Sequence, residues 1–307
     1  ANTVSAASIS SELESKASDF RSAAKKPAKT NSVWINSSAY NAYSDKAALA
    51  ARLSLLGFKS VYLSPGAAKI NTPADDLKTF ICECSRYRIK VFYSALDDNT
   101  QFVSYNPAAV NRLLAFNEAV TPSQRFAGLA ADLEPQSCTA SGKPEGLTYT
   151  WASANYGIGR DNDNLLAITL DRLNSASEPL HSAALSLGEA IHYNFQIYQN
   201  AGQLSNGAVS SFLTDCDFVT IMAYFTDKNS IWEKAEPCLI ASSEDDSVSI
   251  AVSVKDGGTG SLYPNGWDNL LVVLGYLNTE AGTYSSFRGL DIFGFADFMT
   301  LYGASPV

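Results

Sequence analysis

The stretch FAGLAADLEP, Phe126–Pro135, decides how this chain is read. It opens as an apolar run and closes on two carboxylates, Asp132 and Glu134. Successive side chains of a strand point to opposite faces, so Asp132 and Glu134 share one direction while Ala131 and Leu133 take the other. Acidic residues are poor strand formers and costly to bury, so two of them ending an apolar run need a reason. A pair at this spacing supplies what glycosidic-bond cleavage requires, a carboxylic acid of raised pKa beside a carboxylate that orients or polarises. The competing reading is a capped strand end, with either carboxylate accepting backbone hydrogen bonds.

Outward from this run, β-rich segments recur at Val33–Asn36, Ser60–Ser64, Lys90–Leu96, Ala183–Ile191, Phe218–Tyr224, Val248–Val254 and Gly289–Ala296. Helical periodicity fills the intervals at Asp45–Leu56, Pro73–Tyr87, Pro107–Ala119, Asn162–Ser177 and Gly266–Asn278. Asp45 is placed to cap its helix and Gly57 to stop it. Eight strands alternating with helices predict an α/β fold, a closed (β/α)8 barrel, because each parallel pair needs a crossover. The alternative, an open doubly wound sheet, lacks a GxGxxG or GxxxxGK[ST] sequence after its first strand in its nucleotide-binding version. An amphipathic helix over residues 5–25, with Leu13, Ala17, Phe20 and Ala24 on one face, is expected to precede the barrel. This divides the chain into an N-terminal helical extension, 1–30, and one barrel domain, 31–307.

A barrel places its active site at the C-terminal ends of its strands, where Asp132 and Glu134 fall. The seventh strand, VSIAVSVKD, turns Val248, Ile250, Val252 and Val254 toward the helices. Ser249, Ala251, Ser253 and Lys255 then face inward, with Lys255 at the mouth to offset carboxylate charge, bind an anionic group or simply be solvated. The sixth strand sets Met222 and Tyr224 on one face, and the last is expected to end in Asp297. The facing of Glu189 and His192 at the end of the fifth strand is left open by the pattern. Residues 136–160 form a 25-residue connection after the fourth strand. So long a loop is usually functional, and its Tyr149, Trp151 and Tyr156 either stack on sugar rings or pack the loop onto the rim.

Net charge of −9 argues against a phosphate-backbone ligand, so no nucleic acid is expected as a partner. No apolar run approaches the ~20 residues that span a bilayer. Two histidines and the absence of CxxC pairing speak against a metal site, and no cofactor motif is present. The Ser/Ala-rich start at Ala1 and the single sequon at Asn36-Ser37-Ser38 are those expected of a secreted glycoprotein. Extracellular cysteines are expected to pair, with Cys216 and Cys238, flanking the sixth strand and its helix, the favoured bridge.

With these residues assembled, the chain resembles the chitinase-like glycoside hydrolases. In that family the fourth strand ends Asp-x-Asp-x-Glu and the sixth carries Met-x-Tyr. Glu134 then falls on the acid and Asp132 on the aspartate that positions the substrate's acetamido group. Met222 and Tyr224 fall on the sixth-strand pair, while Ala127 and Ala130 stand where the longer motif has aspartates. The run Gly128–Pro135, with DFVTIMAY and GFADFMTLYG, is more closely similar to predicted secreted barrels bearing a DxEP fourth strand. The resemblance covers residues 126–298 and implies a barrel that cleaves a glycan, one containing N-acetylhexosamine being among the candidates. Carbohydrate is the implied ligand; Met222 from the resemblance, and Trp151, Tyr149, Lys255 and Asp297 from the loop and strand ends, are the candidates to contact it. The rival is a catalytically silent barrel with a glycan-binding or structural role. A phosphate-dependent barrel enzyme using Lys255 and the run Asp256–Gly260 is a third reading.

Overall fold

The computed structural model describes residues 11–24 and 31–304. Its sheet is a closed barrel of eight parallel strands in sequence order. They are β1 (Ser32–Ile35), β2 (Ser60–Leu63), β3 (Lys90–Ser94), β4 (Gly128–Ala131), β5 (Ser186–His192), β6 (Phe218–Met222), β7 (Val248–Ser253) and β8 (Phe287–Phe293). Closure is through β1 and β8, with Ser32 opposite Asp291. Asp45 caps the helix Lys46–Leu55 by accepting from the Ala48 N–H, and Gly57 follows with φ +83°, as the sequence leads one to expect.

Alternation sorts each strand. Val33, Ile35, Leu129, Ala131, Val219, Ile221, Ile250 and Val252 face the helices in one continuous core. The inner face holds a second, smaller cluster of Tyr62, Phe92, Ala130 and Phe218. Phe218 stacks on Tyr62 with ring centroids 5.8 Å apart and meets Phe92 edge-on at 5.4 Å. The Arg288 guanidinium lies 4.1 Å over the Phe218 ring. Above this plug, Thr220 donates to the buried Asp291 at 2.8 Å. Burial raises the Asp291 carboxyl to about 6, against the pull of Thr220 and Arg288.

Two expectations are corrected. The last strand ends at Phe293, because Gly294 takes φ +98° and turns the chain into the helix Phe295–Tyr302. Asp297 therefore sits in the first turn of a helix, where a negative charge suits the dipole. The Cys216–Cys238 bridge does not form, and all five cysteines are free thiols. The Cys238 thiol faces the carbonyls of Tyr193 and Lys234, whereas Cys216 is sealed beside Glu189 before β6. Of the expected N-terminal helix, Ser11–Ala24 is present, and residues 5–10 and 25 lie outside the described residues. It is docked on the barrel, with the Phe20 ring 5.1 Å from Phe298 and 5.5 Å from Phe58. Among the described residues no helix is long and apolar enough to cross a membrane.

The long connection after β4 is tied to the first turn of the helix Asp161–Ser182. Asp161 accepts from the Thr150 N–H at 3.1 Å, and Asn162 both accepts from and donates to the Ala152 backbone. Asp163, 2% exposed, accepts from the N–H groups of Gly159, Ser205 and Asn206 and from the Ser205 hydroxyl at 2.7–3.0 Å. Burial alone would raise its pKa, but these donors outweigh burial and hold the carboxyl below the ordinary range. One carboxylate thus clasps the loop after β4 to the loop after β5.

Asp163→Asn turns a donor toward this ring of donors and is expected to cost about 2 kcal/mol, a Tm fall of about 4–8 °C at pH 7. A depressed carboxyl stabilises the fold above its unfolded pKa, and the benefit is lost as pH falls through the folded value. The gap between variant and wild type should therefore narrow below about pH 4. Thermal melts at pH 7 and pH 3 check this, and equal melts at pH 7 would remove the clasp from the account.

Candidate active site

The β4 ladder stops at Ala131, yet the next residues keep its alternation. Leu133 is buried on the helix side, while Asp132 and Glu134 turn into the mouth. Pro135 then starts a short 3-10 turn that leads the chain off the barrel. Two adjoining lobes open at this end. The inner one, about 210 Å³, is lined by Asp132, Glu134, Met222, Tyr224, Ala190 and Thr220, with Trp34 and Phe293. The outer one, about 260 Å³, is more polar and includes Asn36, Ser64, Ser94, Asp97, Lys255 and Asp297. Trp34, Asp132 and Phe293 belong to both.

Desolvation governs the carboxyls. Burial first, then the Glu134 charge and that of Asp97, raise Asp132 to about 7. Burial also raises Glu134, opposed by the hydrogen bond it accepts from the Gln136 amide at 3.0 Å. One Asp132 oxygen, Oδ1, is buried with no partner in the protein. The Tyr224 ring stacks on Phe293 with centroids 5.6 Å apart. Burial and the carboxylates of Asp132, Glu134 and Asp291 push the Tyr224 hydroxyl far above its ordinary value, so it stays a proton donor. His192 lies at the end of β5, held down to about 4 by burial and therefore neutral, its Nδ1 accepting from the Asn194 N–H. The arrangement offers two carboxyls that burial makes weaker acids, one of them with an unpartnered oxygen, and a phenolic donor in one lobe.

A raised carboxyl has the opposite sign to Asp163. Its stabilisation is complete below the unfolded pKa and declines as pH rises toward the folded value, here between about 4 and 7. Asp132→Asn removes that decline and is expected to gain about 1–2 kcal/mol at pH 8, with little gain at pH 4. Denaturant melts at the two pH values test it, and a variant destabilised at both would mean that Asp132 is held by contacts beyond those described.

The structure brings Asp132, Glu134, Met222 and Tyr224 into one lobe and sets Lys255 and Asp297 in the other. Lys255 is exposed, and Asp297 accepts from the Asp256 N–H at 3.0 Å. Trp151 and Tyr149 line neither lobe. The Trp151 ring packs 5.4 Å from Phe195 and 5.7 Å from Tyr156, and the Trp151 backbone N–H donates to the Cys138 carbonyl, so the loop aromatics fasten the loop. Tyr149 is half-buried against the same core. Trp34 and Phe293 are the aromatic residues that line both lobes at the mouth. Trp34 could have been found from its place between Val33 and Ile35, which alternation assigns to the helix side. Glu189, whose facing the pattern leaves open, faces away from the mouth, with its Oε1 accepting from the Leu133 N–H at 2.9 Å.

The glycine run after β7 has a packing reason. A Cβ on Gly260 would lie 2.0 Å from the Tyr224 carbonyl oxygen, and Gly260 has φ +67°. Asn36 caps the helix Ser37–Ala42, accepting from the Ala39 N–H and the Ser38 hydroxyl at 2.9 Å, and it lines the outer lobe. A glycan on this sequon would stand at the mouth itself. Among the described residues no group of three or more His, Cys, Asp or Glu side chains is placed to hold a metal ion.

No family model matches the sequence, and no curated protein matches it. Solved structures do share its architecture. A GH18 chitinase from Pseudoalteromonas aurantia superposes with a TM-score of 0.59 at 13% identity, over 87% of this chain and 94% of that one. An endo-beta-N-acetylglucosaminidase from Cordyceps militaris gives a TM-score of 0.49 at 10% identity, over 94% of this chain and 87% of that one. A chitinase from Chromobacterium violaceum gives 0.47 at 13% identity, over 74% and 69%. At 13% identity the likeness to the first of these establishes the fold alone, a closed (β/α)8 barrel.

Proposed function

We propose that this chain is a glycoside hydrolase that cleaves a glycan bearing an N-acetylhexosamine at the scissile bond. The observation that carries this reading is the meeting of Asp132, Glu134, Met222 and Tyr224 in one lobe at the strand ends, with Asp132 raised to about 7 beside Glu134. Glu134 gives its proton to the leaving glycosidic oxygen. The open oxygen of Asp132 accepts the acetamido N–H, and Tyr224 donates to the acetamido carbonyl, whose oxygen closes on the anomeric carbon as the glycosidic bond breaks. Water then opens that ring, with Glu134 taking the proton back. Retention through the substrate's own acetamido group needs no second protein carboxylate as nucleophile. This agrees with the geometry, since Glu189 faces away from the mouth and Asp297 lies in the neighbouring lobe.

The test is hydrolysis of N-acetylhexosamine oligosaccharides and polymers, with the anomer of the first product read by proton NMR. Retention supports the scheme, whereas inversion assigns the two carboxyls different roles. A silent barrel is the second reading, favoured by Ala127 and Ala130 where the resembling family carries aspartates. It predicts binding without turnover in the same screen.

A further inference from the structure

The chain contains a buried carboxyl that the scheme above does not use. Glu189 is 1% exposed on the helix-facing side of β5 and accepts from the Leu133 N–H at 2.9 Å. Its second oxygen, Oε2, is buried without a partner. Leu133 is the residue between Asp132 and Glu134, and it lies beyond Ala131, where the β4 ladder ends. A backbone N–H buried there would be left unpaired without the Glu189 side chain. Glu189 therefore supplies, from its side chain, the rung that the neighbouring backbone no longer provides.

We propose that Glu189 is a positioning residue for the Asp132/Glu134 pair, fixing the peptide between them so that both carboxyls stay aimed into the mouth. This rests on the reading of that pair as the reacting one. Around Glu189 stand Asp132 and Glu134 from the end of β4, and Cys216 from the turn before β6. Burial first, and the Asp132 charge second, push the Glu189 carboxyl well above its ordinary range. Burial thus favours its neutral acid form, and one oxygen receives the Leu133 N–H. Glutamine reproduces that acceptor and that neutrality, while leucine removes the acceptor and keeps the bulk.

The experiment compares wild type, Glu189→Gln and Glu189→Leu in two readouts. In kinetics on a cleaved glycan, the glutamine variant should keep kcat within about threefold, and the leucine variant should lose about 10²-fold in kcat with KM little changed, as slight misplacement of reacting groups does. In hydrogen exchange, the Leu133 amide should stay protected in the glutamine variant and lose protection in the leucine variant. Wild-type kcat in the leucine variant, or equal impairment of both variants, overturns the proposal. Should wild type cleave no glycan, the hydrolase reading fails by itself, and equal Leu133 protection in all three proteins overturns the positioning role. In wild type, replacing the Leu133 N–H by N–D should shift the Glu189 Cδ resonance. Absence of that shift overturns the proposal even if the leucine variant does not fold.

Discussion

Glu134→Gln is expected to lower kcat by about 10²–10⁴-fold on any glycan that the wild-type protein cleaves, with KM nearly unchanged. Glutamine keeps the size of the side chain and an acceptor for the Gln136 amide, but it has no proton to give. The loss therefore falls on the transition state, not on binding. Asp132→Asn should also slow the reaction, and the double variant should be little worse than the worse single one, because the two groups act as a unit. The pH profile should fall on its alkaline side near pH 7, where burial and the Glu134 charge place Asp132 and where the pair gives up its last proton. Stability should hold or rise, since burial opposes the Glu134 charge that glutamine removes. A correctly folded Glu134→Gln protein that cleaves at the wild-type rate would take the acid role away from this residue.

Gly188→Ala is expected to cost about 3 kcal/mol or more, the upper part of the range for overfilled cores. A Cβ at Gly188 would lie 2.2 Å from two carbons of the Phe218 ring. That ring cannot swing aside, because Tyr62 stacks on it, Phe92 meets it edge-on and the Arg288 guanidinium covers it. The strain enters at the middle of the barrel, on the strand that pairs with both β4 and β6. A Tm fall of about 6–12 °C or more, with weakened near-UV dichroism from the displaced aromatics, is the expected result. A variant that melts with wild type would show that the plug has slack.

The strand number and the barrel were legible because each strand carries its own period-2 signal, and because local chemistry marks helix ends, as at Asp45 and Gly57. The meeting of Asp132 with Tyr224 was legible for the same reason, since alternation fixes facing once the fold is known. What failed was decided by contacts distant in sequence. Glu189 and Leu133 are 56 positions apart, and nothing in either segment announces their bond. Trp151 looks like a sugar platform in its own loop, and only Phe195 from the next β/α unit makes it a fastening. The Cys216–Cys238 bridge rests on chain order alone, which does not tell which way a thiol on a helix faces. The position of Asp297 was missed by one local event, the left-handed turn at Gly294.

The plug of Tyr62, Phe92 and Phe218 carries a consequence for traffic. Each of these rings is at most 2% exposed, so the barrel is a vessel sealed at its floor. Whatever enters by the mouth departs by the same door. A polymer cannot be drawn through such a vessel and must lie across its rim, offering one residue at a time to the depth. On the proposed hydrolysis, the fragment left in the inner lobe blocks the next arrival until it backs out, so product should compete directly with substrate for occupancy.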